Sequence, residues 1–351
     1  MQIDRIFAAI TIAAAIGAGV SMLLPDNALA VPAPTPLAVS TTPLPLNRDD
    51  PAQTDIDELK FRGAVQIRSS DPLFGGISAL RAGPPASSGT AMLAVTDTGN
   101  WLAFDTVESD GRLTGIANAL LTPILQPDGK PVAVKADGDA EALEWNPASG
   151  AATIVYEQDH RLAHFTGISR QTLAALAALP TRIERLTQMT GWPLNNGGEA
   201  MAQLPDGTRL ILAETGRRPD GARTALLTRN GKTIEIGIEG VPDHSPTDAV
   251  ALDATRILIL HRRFDMMGVG AALSLVDLAP AFGANPPATL PARIIARWQP
   301  PLTLDNMEGL AIRRDGDRVF LYVISDDNLN SIQRTVLMKF ELSASAIAPS
   351  P

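Results

Sequence analysis

Apolar and polar positions along the chain fall into one recurring phrase. An acidic or small polar residue opens it, a short apolar step built on Ala follows, then a polar turn and an apolar strand. The phrase occurs as Ser78-Ala79-Leu80 before the strand at 92–97, and as Glu141-Ala142-Leu143 before 153–157. It returns as Glu199-Ala200-Met201-Ala202 before 210–214, as Asp248-Ala249-Val250-Ala251-Leu252 before 257–260, and as Glu308-Gly309-Leu310-Ala311 before 319–324. The opening residues are 63, 58, 49 and 60 positions apart. A period near 50 residues built from short strands predicts the blades of an all-β propeller. The Asp206-Gly207 and Asp315-Gly316 turns suit tight strand reversals. Five blades are visible, and a sixth is expected if one has diverged. Pairing of a strand near 61–67 with one near 335–342 would close the ring and remove an open sheet edge.

Other stretches break the pattern. Between residues 170 and 189, Leu173, Leu176, Leu179, Ile183 and Leu186 are spaced by three and four, which predicts a short helical insertion interrupted at Pro180. Residues 6–24 are an uncharged, mostly apolar run followed by Ala28-Leu29-Ala30, the pattern of a signal peptide cut near Ala30. An uncleaved anchor is the competing reading, because 19 such residues approach a membrane span. Residues 31–57 are Pro-, Thr- and Ala-rich and read as a disordered tether. The propeller is expected over 58–342 and a flexible tail over 343–351.

Composition narrows the function. A net charge of −9 argues against nucleic acid as a partner. The absence of cysteine excludes disulfides, thiolate metal sites and a cysteine nucleophile. No Gly-x-Ser-x-Gly elbow or phosphate-binding loop is found, and the four histidines show no zinc-protease spacing. A periplasmic or secreted monomer is expected, free of the membrane once the leader is removed.

The candidate chemistry lies in the repeated acids. Glu141, Glu199, Asp248 and Glu308 recur at matching positions, and Asp97, Glu157, Glu214, Asp326 and Asp327 follow the next strands. In a propeller such positions ring one axis, where unpaired carboxylates repel and raise one another's pKa. A hard cation such as Ca²⁺, with six to eight oxygen ligands, removes that penalty. Asp305-Asn306-Met307-Glu308 and Ser325-Asp326-Asp327-Asn328 are oxygen-rich clusters expected at one rim, and Asn195-Asn196-Gly197-Gly198-Glu199 is similar. Asp137-Gly138-Asp139-Ala140-Glu141 lacks the spacing of a helix-loop-helix calcium loop. His261-Arg262-Arg263 ends a repeat strand and offers forks for anionic oxygens.

These motifs carry a resemblance. Asp305-Asn306-Met307-Glu308-Gly309-Leu310-Ala311 with Val323-Ile324-Ser325-Asp326-Asp327-Asn328 and Gln333-Arg334-Thr335-Val336-Leu337 is similar to the closing signature of the phytase-like family, described by an "esterase-like activity of phytase". Gly76-Ile77-Ser78-Ala79-Leu80 and Leu260-His261-Arg262-Arg263-Phe264 resemble its earlier motifs. The sequence departs from the family by Glu-Ala for Glu-Gly at 141–142 and 199–200, and by His261 where an acid is common. The resemblance implies a secreted or periplasmic bacterial propeller, metal-dependent, that acts on phosphate or other esters. On this reading Glu308, Asp326, Arg262 and Arg263 are catalytic. Glu141, Glu199, Asp248, Asp305 and Asp327 hold Ca²⁺. Asp97, Asn196, Asn328 and His261 bind a small anionic or ester substrate. The alternatives are a non-catalytic propeller of the cell envelope that binds a ligand or protein, and a metal-stabilised scaffold.

Overall fold

The computed structural model describes residues 35–132, 135–169, 173–195, 197–265 and 268–348. The expected signal peptide lies outside them. Five sheets, antiparallel except at one edge, form a five-bladed propeller. Blade 1 runs outward from Ile77–Ala86 through Gly89–Thr96 and Asn100–Ser109 to Arg112–Pro123. Blade 2 comprises Ala140–Asn146, Ala151–Tyr156, Arg161–Phe165 and Arg182–Arg185. Blade 3 comprises Gly198–Gln203, Arg209–Arg217, Arg223–Arg229 and Lys232–Ile238, with Thr289–Leu290 added in parallel at its edge. Blade 4 comprises Ser245–Ala251, Arg256–Asp265, Gly268–Asp277 and Ala292–Trp298. Blade 5 is built from both ends of the body: Asn306–Asp315, Arg318–Asp326 and Thr335–Leu342 are continued by Leu59–Ser69 and Val39–Leu44.

The expected closure is present. Thr335 pairs with Ile67 and Phe340 with Phe61. The inner strands touch in cyclic order, blade 5 meeting blade 1. Each repeat phrase begins an inner strand. Its alanines, among them Ala79, Ala142, Ala200 and Ala249, are fully buried where the blades crowd toward the axis. The strands' apolar residues fill the seams instead. Five hydrophobic clusters lie between the five pairs of adjacent blades, such as Met92, Phe104, Phe320 and Tyr322 between blades 5 and 1. Burial between blades is what holds the ring.

One arginine plugs the axis. Arg81 of blade 1 reaches Glu144 of blade 2 (3.3 Å), the Met201 carbonyl of blade 3 (2.8 Å), Asp248 of blade 4 (2.8 Å) and the Leu310 carbonyl of blade 5 (3.0 Å). Arg81 and Asp248 are buried. Their pairing offsets the desolvation that either charge would suffer alone.

Three expectations are corrected. Residues 35–57 do not form a disordered tether: Val39–Leu44 pairs with Leu59–Ser69, Thr35–Pro36 pairs with blade 1, and Asp55–Ile56 forms a short hairpin. Pro43 is tolerated because Val39–Leu44 is an edge strand. The helical insertion shrinks to the four-residue turn Leu173–Leu176 and the 3-10 turn Thr187–Met189, with Arg182–Arg185 between them completing blade 2. Residues 343–348 of the expected flexible tail are ordered, the rest lying outside the described residues: Ser343 caps the turn Ala344–Ile347, and Arg256 and Arg293 hold its carbonyls.

Candidate functional site

A β-bulge is repeated five times. Near the start of every inner strand, beside the later part of the second strand, one residue is left over by the register: Ser78, Glu141, Glu199, Thr247 and Glu308. A bulge re-aims the extra side chain out of the pleat. Four of these five line a cavity of about 330 Å³ at this end of the axis. The fifth, Thr247, donates to the Met307 carbonyl at 3.0 Å.

A second ring comes from the neighbouring strands. The residue just past the bulge partner is Asp97, Glu157, Glu214, Arg262 or Asp326 in blades 1 to 5, and all five line the same cavity. Blade 4 alone lacks an acid in both rings, with Thr247 where three blades have glutamate and blade 1 has Ser78, and Arg262 where four have an acid. The walls are completed by Lys135, Asp139, Gln158, Asn195 and Asn328. Among the described residues the bowl gathers eight carboxylates and two cationic groups.

The cationic groups are already engaged. Arg262 donates through Nη1 to Glu308 Oε1 (2.6 Å) and Asn306 Oδ1 (3.0 Å), and through Nη2 to Glu214 Oε1 (3.1 Å). Lys135 pairs with Asp97 and lies 3.6 Å from Asp139. The remaining acids are poorly compensated. Glu141 and Glu199 have no hydrogen-bond partner among the described residues; burial first, then neighbouring carboxylates, holds both well above the usual carboxylate range. Burial against the opposing pull of Arg262 leaves Glu308 pushed up to about 8. Burial also pushes Asp326 up to about 7 and raises Asp97.

Three of these acids form a tighter group. Asp139, Glu141 and Glu157 place oxygens within 4.8 Å of one another. Asp139 Oδ1 is buried and accepts no hydrogen bond, while Glu157 Oε1 accepts from the Gly197 amide at 2.6 Å. A set of hard oxygen donors with a surplus of negative charge fits a hard divalent cation, which would supply the missing countercharge.

The structure sorts the sequence candidates. Glu141, Glu199, Glu308, Asp97, Asp326, Arg262 and Asn328 face the bowl. Asp248 does not. The repeat aligns it with the glutamates, but the bulge falls on Thr247, and Asp248 turns into the axial plug with Arg81. Asp305 lies against Arg334 at 3.4 Å outside the bowl. Asp327 caps a loop, accepting from the Gly76 and Leu329 amides and from Thr335 Oγ1. His261 points into blade 4, 2.7 Å from the buried Ser274 hydroxyl, and burial lowers its pKa to about 3, so it is neutral. Arg263 lines an adjoining lobe of about 410 Å³ with Asp243, Ser245 and Phe264. Asn196 lies outside the described residues.

Sequence reasoning placed Glu157 and Glu214 among the ring acids without assigning either to metal, substrate or catalysis, set Asp139 in a weak calcium-loop pattern, and gave no role to Lys135, Arg81 or Glu144. Glu157 and Glu214 share with Asp97 and Asp326 the first place after an apolar second strand, a signal present in the repeat. Lys135 follows no repeat.

Comparison with known proteins places this site in a family. A search of curated proteins finds no match. Similar solved structures include an α-L-arabinofuranosidase of Podospora anserina in complex with cellotriose, 12% identical over 78% of this chain and 93% of that one, TM-score 0.46. The catalytic domain of a Coprinopsis cinerea α-L-arabinofuranosidase is 11% identical over 87% and 100%, TM-score 0.46. The Malassezia sympodialis allergen Mala s 1 is 11% identical over 80% and 88%, TM-score 0.38. The family model for phytase-like proteins, described as "esterase-like activity of phytase", matches residues 72–329, a span that holds both rings of the bowl. The chain belongs to the phytase-like family.

Proposed function

We propose that the bowl is the active site of an exported hydrolase that cleaves phosphate or other esters with the help of a bound divalent cation. One observation carries the reading: two rings drawn from the five blades supply seven carboxylates which, with Asp139, surround two engaged cationic groups. Such a site is costly without a counterion, and the cost is repeated at equivalent positions rather than scattered. Structural acids are normally satisfied locally, whereas Glu141 and Glu199 are not.

Asp139, Glu141 and Glu157 would hold the cation, and Ca²⁺ fits their all-oxygen character. When bound, it would polarise the ester oxygen and lower the pKa of a coordinated water. The other roles fall to side chains. Arg262 is fixed by three acceptors, so its fork is pre-oriented toward the developing charge of an ester oxygen. Glu308 accepts both of its hydrogen bonds at Oε1, which leaves Oε2 to carry a proton at neutral pH. That proton would pass to the leaving oxygen as the ester bond breaks. Asp326, with its pKa near 7, would take the proton of the attacking water. Asp97 and Asn328 line the wall against the rest of the substrate. The leader-like residues 6–30 support export.

The test is a screen of the purified protein against phytate, p-nitrophenyl phosphate and p-nitrophenyl acetate, with Ca²⁺ and with EDTA. Cation-dependent release that falls at least tenfold in Glu308→Gln and Asp326→Asn supports the reading. Release from none of the substrates, or release unaffected by both variants, removes it.

A further inference from the structure

Large apolar side chains are exposed on one face of the propeller. Of the seven in the described residues, Leu73, Leu194, Leu329 and Ile332 on loops and Phe264 near the end of its strand stand at the mouth of the bowl, each between 52% and 86% exposed. Of the other two, Leu179 lies between the third and fourth strands of blade 2 and Ile183 on the fourth. Scattered exposed apolar residues are ordinary, but a concentration on one face marks an interaction surface. Leu329 is held there against preference. It follows Asn328 in the left-handed region, at φ of 50° and 49°, a conformation disfavoured for leucine. Asp326 and Asp327 fix the loop by accepting from the Asn328 and Leu329 amides. Beside it a groove of about 590 Å³ is lined by Phe74, Leu329, Ile332 and the exposed Arg68.

The path of the chain is a second, separate observation. Thr35 pairs with Leu121, two residues from the mouth end of its strand, and Val39 pairs with Ser69 at the mouth end of blade 5. Both edge strands run away from the mouth, so the described chain begins, at Thr35, near the mouth side of blade 1. Ten residues, 25–34, separate Thr35 from the uncharged run 6–24. They reach at most about 35 Å when extended. A run of 19 residues without a charge is long enough to enter or span the hydrocarbon of a bilayer. Among the described residues no helix is long and apolar enough to do so.

We propose that the mouth face docks on a lipid bilayer. The run 6–24 tethers the chain, the five apolar side chains enter the boundary between headgroups and acyl chains, and Arg68 meets lipid phosphate. Two weak signals acting together are what stable interfacial anchoring requires. The bowl's carboxylates do not oppose this docking, because they are recessed and their field is screened within about 8 Å at physiological salt; of the exposed acids beside Phe264, Asp265 lies 3.7 Å from Arg263 and Asp243 lines a lobe with it. The inference is independent of the ester chemistry.

The absence of cysteine makes the test direct. Phe264→Cys, Leu329→Cys and Ile332→Cys, and Ala148→Cys on an exposed turn at the opposite end of blade 2, each take one environment-sensitive fluorophore. The full chain is reconstituted into vesicles of phosphatidylethanolamine and phosphatidylglycerol. The expected result is a blue shift, with quenching by nitroxide lipids, at positions 264, 329 and 332 and none at 148. No shift at the mouth positions, an equal shift at 148, or a shift that nitroxide lipids do not quench overturns the proposal; the last outcome would mark a protein contact instead.

Discussion

Arg81 Nη1 and Asp248 Oδ2 meet at 2.8 Å on the propeller axis, and through them every blade is joined to one guanidinium. The pair lies where a plain reading of the repeat would place a metal ligand. Its role is to close the channel, so the bowl above it has a floor.

Removing one partner should therefore be severe. Asp248→Asn or Arg81→Met leaves a buried charge uncompensated, and each is expected to cost about 3–5 kcal/mol of stability. The combined variant Arg81→Met with Asp248→Leu should cost less than the two single changes together, because it strands no Asp248–Arg81 charge. Urea unfolding of the three variants measures the coupling.

The bowl predicts an unusual pH dependence in cation-free protein. Glu308 and Asp326 have folded pKa values near 8 and 7, above their unfolded values, so the folded state holds more protons in this range and stability falls as pH rises. His261, lowered to about 3, has the opposite sign but acts only below its unfolded pKa of 6.5. Between pH 6.5 and 8 the acids dominate. The expected loss is about 1.4 kcal/mol per pH unit for each carboxyl that keeps an extra proton. Unfolding at the two ends of that window in EDTA checks the sign, and saturating Ca²⁺ should flatten the slope.

Metal should stabilise the fold and be traceable to particular acids. Ca²⁺ is expected to raise Tm, as for any ligand that binds only the native state. Glu141→Gln and Glu157→Gln should abolish the shift, while Asp305→Asn, which removes an acid outside the bowl, should leave it. Lys135→Met should tighten binding several-fold, because Asp97 and Asp139 lose their internal cation. Calorimetric titration of these variants reads the order.

Neighbouring residues on one strand should separate structure from chemistry. His261→Ala empties a buried site and leaves the Ser274 hydroxyl without its partner, at about 2–4 kcal/mol of stability, with turnover retained in the folded fraction. Arg262→Lys should keep stability closer to the parent but lower kcat on the order of 10²-fold, since an ammonium cannot serve Glu214, Glu308 and Asn306 together.

The repeat was readable because inner strands need small residues at the axis and an apolar partner beside them, and both leave a periodic trace. The ring closure was readable for the related reason that an open blade edge must pair. The register was not. A bulge moves the bowl position from Asp248 to Thr247, and a one-residue shift that exchanges metal ligand for structural ion pair leaves no mark in composition. The segment 170–189 misled because leucines at helical spacing also supply a short turn and an outer strand, and only the free edge of blade 2 decides between them. Residues 35–57 misled because proline content signals an extended chain without saying whether a sheet edge waits for it.

Blade 5 draws its central pairing from strands separated by more than two hundred and fifty residues of sequence, Leu59–Ser69 and Thr335–Leu342. A nascent polypeptide therefore cannot complete the circle until Thr335–Leu342 has been made. Every earlier length carries an unzipped sheet margin, open to chaperones or to misassociation. Rapid acquisition of the native state is not available to such a topology, whose defining contacts are among the most remote it makes.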